Sequence, residues 1–298
     1  MIDRCFRARR SLTGLAWLLM SLWCLGGCRP DEPPATSSAN ASPSRPTRIV
    51  SLDYCADQYV VAIADRQDIL RVSPDATAPY SWVSDRARDL ASVRPRPEDV
   101  LILQPDLVVR SYGGGPNAHA FLSAAGVPVV QVPYVSDLAG ARRSVISMAE
   151  ALGVPQRGLA LARDMDQRLA AIEPLAEPPA ALYVASSGVS AGPGTLIDEL
   201  LQAAGLDNFQ RDPGWHSLPL ERLVYERPDV LVLAYFDSAS RRKDAWTPAT
   251  HPVMRRQLAE LPNVALEAGW VSCGGWFMVE AVEALADAAR HYARVVQP

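Results

Sequence analysis

Two stretches of the chain, "EDVLILQPDLVV" at Glu98–Val109 and "ERLVYERPDVLVL" at Glu221–Leu233, repeat one pattern at identical internal spacing. In each, a glutamate opens a short helix-like stretch, Pro-Asp follows seven residues on, and an apolar run comes next. Proline stops a helix because it lacks the N–H that the next turn needs, and a continuous Val/Leu run suits a strand covered on both faces. Downstream of each copy, "FLSAAGVPVVQV" (Phe121–Val132) and "QLAELPNVALEA" (Gln257–Ala268) again show a helix end, a turn and a strand. Strand and helix in alternation predict an α/β fold with mostly parallel sheets flanked by helices, and two copies predict two lobes.

Between the copies, Val145, Met148, Ala149 and Leu152, then Leu159, Ala162, Met165 and Leu169, recur at helical spacing, interrupted at Gly153-Val154-Pro155. Pro155 suits the first turn of a second helix, so one long backbone helix beginning near it is expected to join the lobes. Val279, Val282, Leu285, Ala289, Tyr292 and Val296 predict a C-terminal helix. The expected organisation is an N-terminal lobe at 48–136, a connecting helix within 137–174 and a C-terminal lobe at 175–298.

The first residues carry Arg4, Arg7, Arg9 and Arg10 and then an apolar run from Leu12 to Leu25, too short to span a bilayer comfortably. Residues 1–27 therefore read as an export signal. They end in "LGGC", Leu25–Cys28, which resembles the lipobox of bacterial lipoproteins and makes Cys28 the expected lipidated N-terminus. Residues 28–47, rich in Pro, Ser and Ala without apolar period, read as a tether. The expected location is the periplasm, anchored to a membrane by lipid. Without residues 1–27, 25 basic and 32 acidic residues remain, a net −7, which argues against nucleic acid as a partner.

Taken together, "RIVSL" (Arg48–Leu52), "PEDVLILQPDLVV", "AGVPVVQV", "GTLIDELLQAAGLDNF" (Gly194–Phe209) and "LPLERLVYERPDVLVL" resemble, in order, the helical-backbone class of periplasmic substrate-binding proteins. That class serves ABC importers of vitamin B12, ferric siderophores and haem. Cobalamin-binding members look nearest at "SYGGGPN", "DPGWHSLPLE" and "EAGW". The resemblance implies a monomer that holds a metal chelate, cobalamin or a ferric siderophore, between its lobes and hands it to an ABC permease in the inner membrane. It implies no chemistry of its own and no resident cofactor or metal. The ligand would be met by loops at the C-terminal ends of strands, which here hold Tyr54, Cys55, Tyr80, Trp82, Tyr112, Trp215, His216, Trp270, Cys273 and Trp276. Glu98 and Glu221 fall on positions where members of the class reach arginines of the permease.

Two other readings compete. "GVSAG", Gly188–Gly192, matches the G-x-S-x-G elbow of serine hydrolases, but Pro193-Gly194 intervene before the next helix, so Ser190 is expected in a plain loop. A lipid-anchored scaffold that binds a protein would show an apolar stripe beyond the two-lobe pattern. "GGG" at Gly113–Gly115 reads as a turn or a close backbone approach to ligand. With the signal removed and Cys28 lipidated, the folded part owns Cys55 and Cys273. A disulfide between them, free thiols touching ligand or metal, and unrelated buried cysteines all remain open.

Overall fold

A computed structural model describes residues 45–234 and 248–296. The signal segment, Cys28 and most of the tether lie outside the described residues. The first lobe runs β1 (Ile49–Ser51), α1 (Tyr54–Ile63), β2 (Ile69–Arg71), α2 (Ser84–Ala87), α3 (Pro97–Ile102), β3 (Leu107–Arg110), α4 (Ala118–Ala124) and β4 (Val129–Gln131). Two helices follow, α5 (Leu138–Ala151) and α6 (Pro155–Ala170). The second lobe continues with β5 (Ala180–Ala185), β6 (Val189–Ala191), α7 (Leu196–Ala203), β7 (Asp207–Asn208), β8 (Trp215–Ser217), β9 (Val230–Ala234), α8 (Pro252–Glu260), β10 (Asn263–Ala265), α9 (Ala268–Val271) and α10 (Val279–Val296).

Each lobe has a four-stranded parallel sheet, ordered β2-β1-β3-β4 and β10-β9-β5-β7. The repeated motif supplies the second half of the pairing in both. Asp106 accepts the N–H groups of Thr47 and Arg48 at 2.8 and 2.9 Å and donates its own N–H to the Arg48 carbonyl, pinning β1 beside β3. Asp229 does the same to β5: it accepts from Ala180 N at 2.7 Å and donates back to the Ala180 carbonyl. Strand side chains alternate between two apolar layers, as they must when both faces are covered. Ile49, Leu107 and Val109 face one cluster and Val50, Leu52 and Val108 another; Tyr183, Val232 and Ala234 face the first of these clusters, with Leu182, Val184, Leu231 and Leu233 in a third. The cluster that holds Ile49 and Tyr183 together also takes in α5, α6 and the start of α10, so one continuous core crosses from sheet to sheet.

The connector holds two helices side by side, α5 before the interruption at Gly153 and α6 beginning at Pro155. Gly153 turns the chain at φ +71°, a left-handed conformation that costs glycine little. The two helices then run antiparallel, with Arg142 paired to Asp166 at 2.9 Å. Gly158 sits where a Cβ would lie 2.5 Å from that of Ala149, so the crossing is close.

Two local expectations are corrected. The Tyr54-Cys55 stretch forms the first turn of α1 and is no loop, because Asp53 caps the helix, its carboxylate accepting from Ala56 N at 2.9 Å. Ser190 lies in strand β6 and not in a plain loop; β6 pairs antiparallel with β8, opposing Ser190 to His216.

Candidate functional site

A cleft of about 660 Å³ opens between the lobes. The first lobe contributes Tyr54 at the start of α1, Tyr80 in the loop before α2, and Tyr134–Ser136 after β4. The second contributes Tyr183 on β5, the start of α7 with Thr195–Ile197, Trp215 on β8, Val271 and Ser272 at the end of α9, and Met278. No charged side chain lines it among the described residues. Three residues expected from the sequence, Tyr54, Tyr80 and Trp215, meet there. Tyr134, Tyr183, Thr195 and Met278 were missed.

The phenols are held close and neutral. Tyr54 meets Tyr80 edge-on at 5.1 Å and Tyr112 at 6.0 Å, and Tyr183 meets Trp215 at 6.0 Å. Burial pushes the Tyr54, Tyr80, Tyr112 and Tyr183 hydroxyls above the usual phenol range, and nearby carboxylates (Asp53 and Asp75 for Tyr54) add to it for all but Tyr183. These groups can donate and accept hydrogen bonds, but they bring no charge to a bound molecule.

The loop carrying Tyr112 is fixed to the helix carrying Tyr54 by one side chain. Asp53 Oδ2 accepts the N–H groups of Ser111, Tyr112 and Gly113 at 2.7, 3.0 and 2.8 Å. Gly113 is required here, since a Cβ would lie 2.3 Å from the Leu52 carbonyl oxygen. The glycine run thus makes its close approach to the protein's own backbone.

Five further expected residues, Cys55, Trp82, Trp270, Cys273 and Trp276, form a seam behind the cleft. Cys55 and Cys273 are joined in a disulfide with Cα atoms 5.6 Å apart, so neither thiol is free. Around it, Tyr54 Oη donates to the Ser272 carbonyl at 3.3 Å and Tyr59 Oη to the Gly274 carbonyl at 3.1 Å. Trp82 stacks on Phe277 at 5.0 Å, meets Trp276 edge-on and donates its indole N–H to Glu280 at 3.1 Å. Trp276 is buried and Trp270 is partly buried against the same core. Trp82 and Trp276 therefore join lobe to lobe, and neither they nor Trp270 lines the cleft.

His216 is exposed on β8, its Nε2 2.8 Å from the Pro213 carbonyl oxygen. Ser190, though opposite it in register, is fully buried, and its hydroxyl has no hydrogen-bond partner among the described residues. Glu98, at the start of α3, and Glu221, capping a 3-10 turn at Arg222–Val224, are both exposed.

Comparison with known proteins agrees with this architecture. The family model described as "Periplasmic binding protein" matches residues 49–245. A "Cobalamin-binding protein" of Halobacterium salinarum is 27% identical over 213 residues, covering 67% of this chain and 57% of its own length. The apo periplasmic heme-binding protein RhuT from Roseiflexus sp. RS-1 superposes with a TM-score of 0.60 at 26% identity, over 81% of this chain and 98% of that one. The periplasmic vitamin B12 binding protein BtuF of Vibrio cholerae shares the fold at a TM-score of 0.59 and 19% identity, over 84% and 99%. With two parallel-sheet lobes, a helical connector and a cleft between them, the chain belongs to the periplasmic binding protein family, in its helical-backbone class.

Proposed function

We propose that the protein captures a corrinoid such as cobalamin in the cleft and delivers it to an ABC import permease, held at a membrane by lipid on Cys28. The observation that carries this reading is the lining: phenols, an exposed indole and aliphatic side chains, without a charged group among the described residues. Aromatic faces supply large contact area at low entropy cost to a flat conjugated macrocycle. A corrin rimmed with neutral amides can exchange hydrogen bonds with Tyr134 and donate to the Tyr54 hydroxyl oxygen. Haem carries two carboxylates, and desolvating them without a cation opposite is expensive. The cobalamin-binding relative of Halobacterium salinarum points the same way, although the match spans only 57% of its length.

A second reading, haem, draws on the heme-binding structures at 25–26% identity. One titration separates them: residues 29 to 298 against cyanocobalamin, haemin and ferrichrome, followed by tryptophan fluorescence. The expected result is saturable quenching by cyanocobalamin at micromolar concentration or below, with at least tenfold weaker response to the others. Tight binding of haemin with a shifted Soret band, and none of cyanocobalamin, would move the reading to haem. No response to any of the three would sink the chelate reading.

A further inference from the structure

Two buried charges of opposite sign meet one short loop, the segment 111–115 between β3 and α4. Asp53 is 3% exposed and Arg110 is 7% exposed, and charged side chains reach such depth only when something compensates them. Among the described residues neither has an ion-pair partner. Both bind backbone instead. Asp53 Oδ2 accepts from the three successive N–H groups of Ser111, Tyr112 and Gly113. Arg110 Nε donates to the Gly113 carbonyl at 2.8 Å and Nη2 to the Gly115 carbonyl at 3.1 Å, while Gln131 Nε2 donates to the Ser111 carbonyl. The loop is held through its donors and its acceptors alike.

Neither α1 nor β3 requires these bonds. The cap of α1 is complete with Asp53 Oδ1, which accepts from Ala56 N at 2.9 Å, so the second carboxylate oxygen is left to the loop. Arg110 keeps its place in β3 by backbone pairing opposite Gln131 of β4, which needs no guanidinium. What the loop presents is one ring. Gly113 is buried, whereas Tyr112 is 54% exposed, its ring edge-on to Tyr54 at 6.0 Å; Tyr54 in turn meets Tyr80 at 5.1 Å and lines the cleft with it. An aromatic side chain on a free loop must be ordered when a ligand covers it, which weakens binding, and here that ordering is done in advance.

We propose that Asp53 and Arg110 are positioning residues for ligand capture: they fix the 111–115 loop so that Tyr112 stands as a rigid aromatic lip at the first lobe's edge of the cleft. This rests on the capture role proposed above. The lip extends the face begun by Tyr54 and Tyr80, so a flat macrocycle seated in the cleft keeps aromatic contact where it leaves the enclosed part. Neither charge touches the ligand. Their effect on binding passes through the Tyr112 ring, and it is the ring, not the hydroxyl, that the loop holds in place.

The test is a double-mutant cycle on the full-length protein in detergent, titrated with cyanocobalamin. Tyr112→Ala is expected to weaken binding about tenfold, and Tyr112→Phe by less than about twofold. Asp53→Asn, which turns a donor toward the loop amides, is expected to weaken binding about tenfold alone and by less than about twofold in the Tyr112→Ala background. A role confined to stability does not pass through Tyr112 and would leave the two losses additive. Should Asp53→Asn fail to fold, hydrogen exchange of the parent without ligand still reads the loop: the Ser111, Tyr112 and Gly113 amides are expected to exchange about a hundredfold more slowly than in an unstructured peptide. Amides that exchange freely, Tyr112→Ala binding like the parent, or additive losses would each overturn the proposal. A parent that binds none of cyanocobalamin, haemin and ferrichrome overturns the capture reading and this one with it; a parent that binds one of the three, with Tyr112→Ala binding it equally, overturns this one alone.

Discussion

At the first lobe's edge of the cleft, Asp53 accepts four backbone N–H groups, binding the start of α1 to the 111–113 loop, and the adjoining Cys55 is bridged to Cys273. At the second lobe's edge, Trp215 stands 57% exposed on the antiparallel β6–β8 pair, which among the described residues pairs only within itself and belongs to neither main sheet. A lone two-stranded pair contributes little stability of its own. The two edges thus divide the work: the first, with the seam behind it, fixes how the lobes sit, and the second offers an aromatic face that can adjust to what is bound. The difference can be tested by removing groups from each side and asking whether folding or binding suffers.

The largest effect is expected from the seam. The bridge spans 218 residues of sequence, and closing a loop of that length restricts the unfolded chain strongly. Replacing both cysteines, Cys55→Ser with Cys273→Ser, is expected to cost about 4 kcal/mol in urea unfolding, within the usual range for loss of a native disulfide. An unchanged midpoint would mean that the core crossing from α5 and α6 to α10 holds the lobes without it.

Two tryptophans sharpen the contrast at the next level. Trp82→Ala empties a site stacked on Phe277 and edged by Trp276, and should cost about 3–4 kcal/mol of stability. Trp215→Ala removes an exposed ring and should change stability by less than about 1 kcal/mol. Its effect is expected in the cleft, as a tenfold or greater loss of cyanocobalamin affinity. If Trp215→Ala unfolds the protein, or Trp82→Ala weakens ligand without touching stability, the division between the two edges fails.

Those same tryptophans show where sequence reading reached its end. The parallel sheets were legible because the Glu–Pro-Asp repeat carries its own helix stop and buried strand, and Asp106 and Asp229 each clip the neighbouring strand. The aromatic lining was only partly legible. Trp82 and Trp215 both sit among small and polar residues, and that local context is the same whether a ring faces a cleft or crosses between lobes. Tyr183 was missed because it lies in the apolar run "ALYVAS", where it reads as core; it is indeed buried, in mid-strand, but it also lines the cleft. The 3.6-residue spacing at 137–172 gave both connector helices, while their antiparallel packing follows from Gly153 and Gly158, which no periodicity reveals. Ser190 failed as a loop because its partner strand, β8, lies 25 residues away, beyond the reach of local pattern.

The smallest effect lies inside the fixed edge itself. Asp57, one turn beyond Asp53 on α1, is fully buried and accepts Ser73 Oγ at 2.5 Å and Ser73 N at 3.1 Å. Burial outweighs those bonds and pushes its carboxyl up from 3.8 to about 6, with the Asp53 charge adding to it. The folded state therefore binds this proton more tightly than the unfolded chain does. Its contribution is complete below about pH 4 and is lost as pH rises through about 6, which between pH 5 and pH 8 amounts to roughly 1–2 kcal/mol. The second lobe's buried carboxylate, Asp198 on α7, is surrounded differently, with Asn208 Nδ2 at 2.8 Å, Gln202 Nε2 at 2.9 Å and Gly194 N at 3.3 Å donating to it. Asp57→Asn keeps an acceptor for the Ser73 N–H and offers a donor to its hydroxyl, so it should fold. Urea unfolding across that pH range should then show a flatter profile for the variant than for the parent, by the same 1–2 kcal/mol. Parallel profiles would mean that Asp57 is ionised in the folded state across the whole range, and that the first lobe's edge holds two charged carboxylates one helical turn apart.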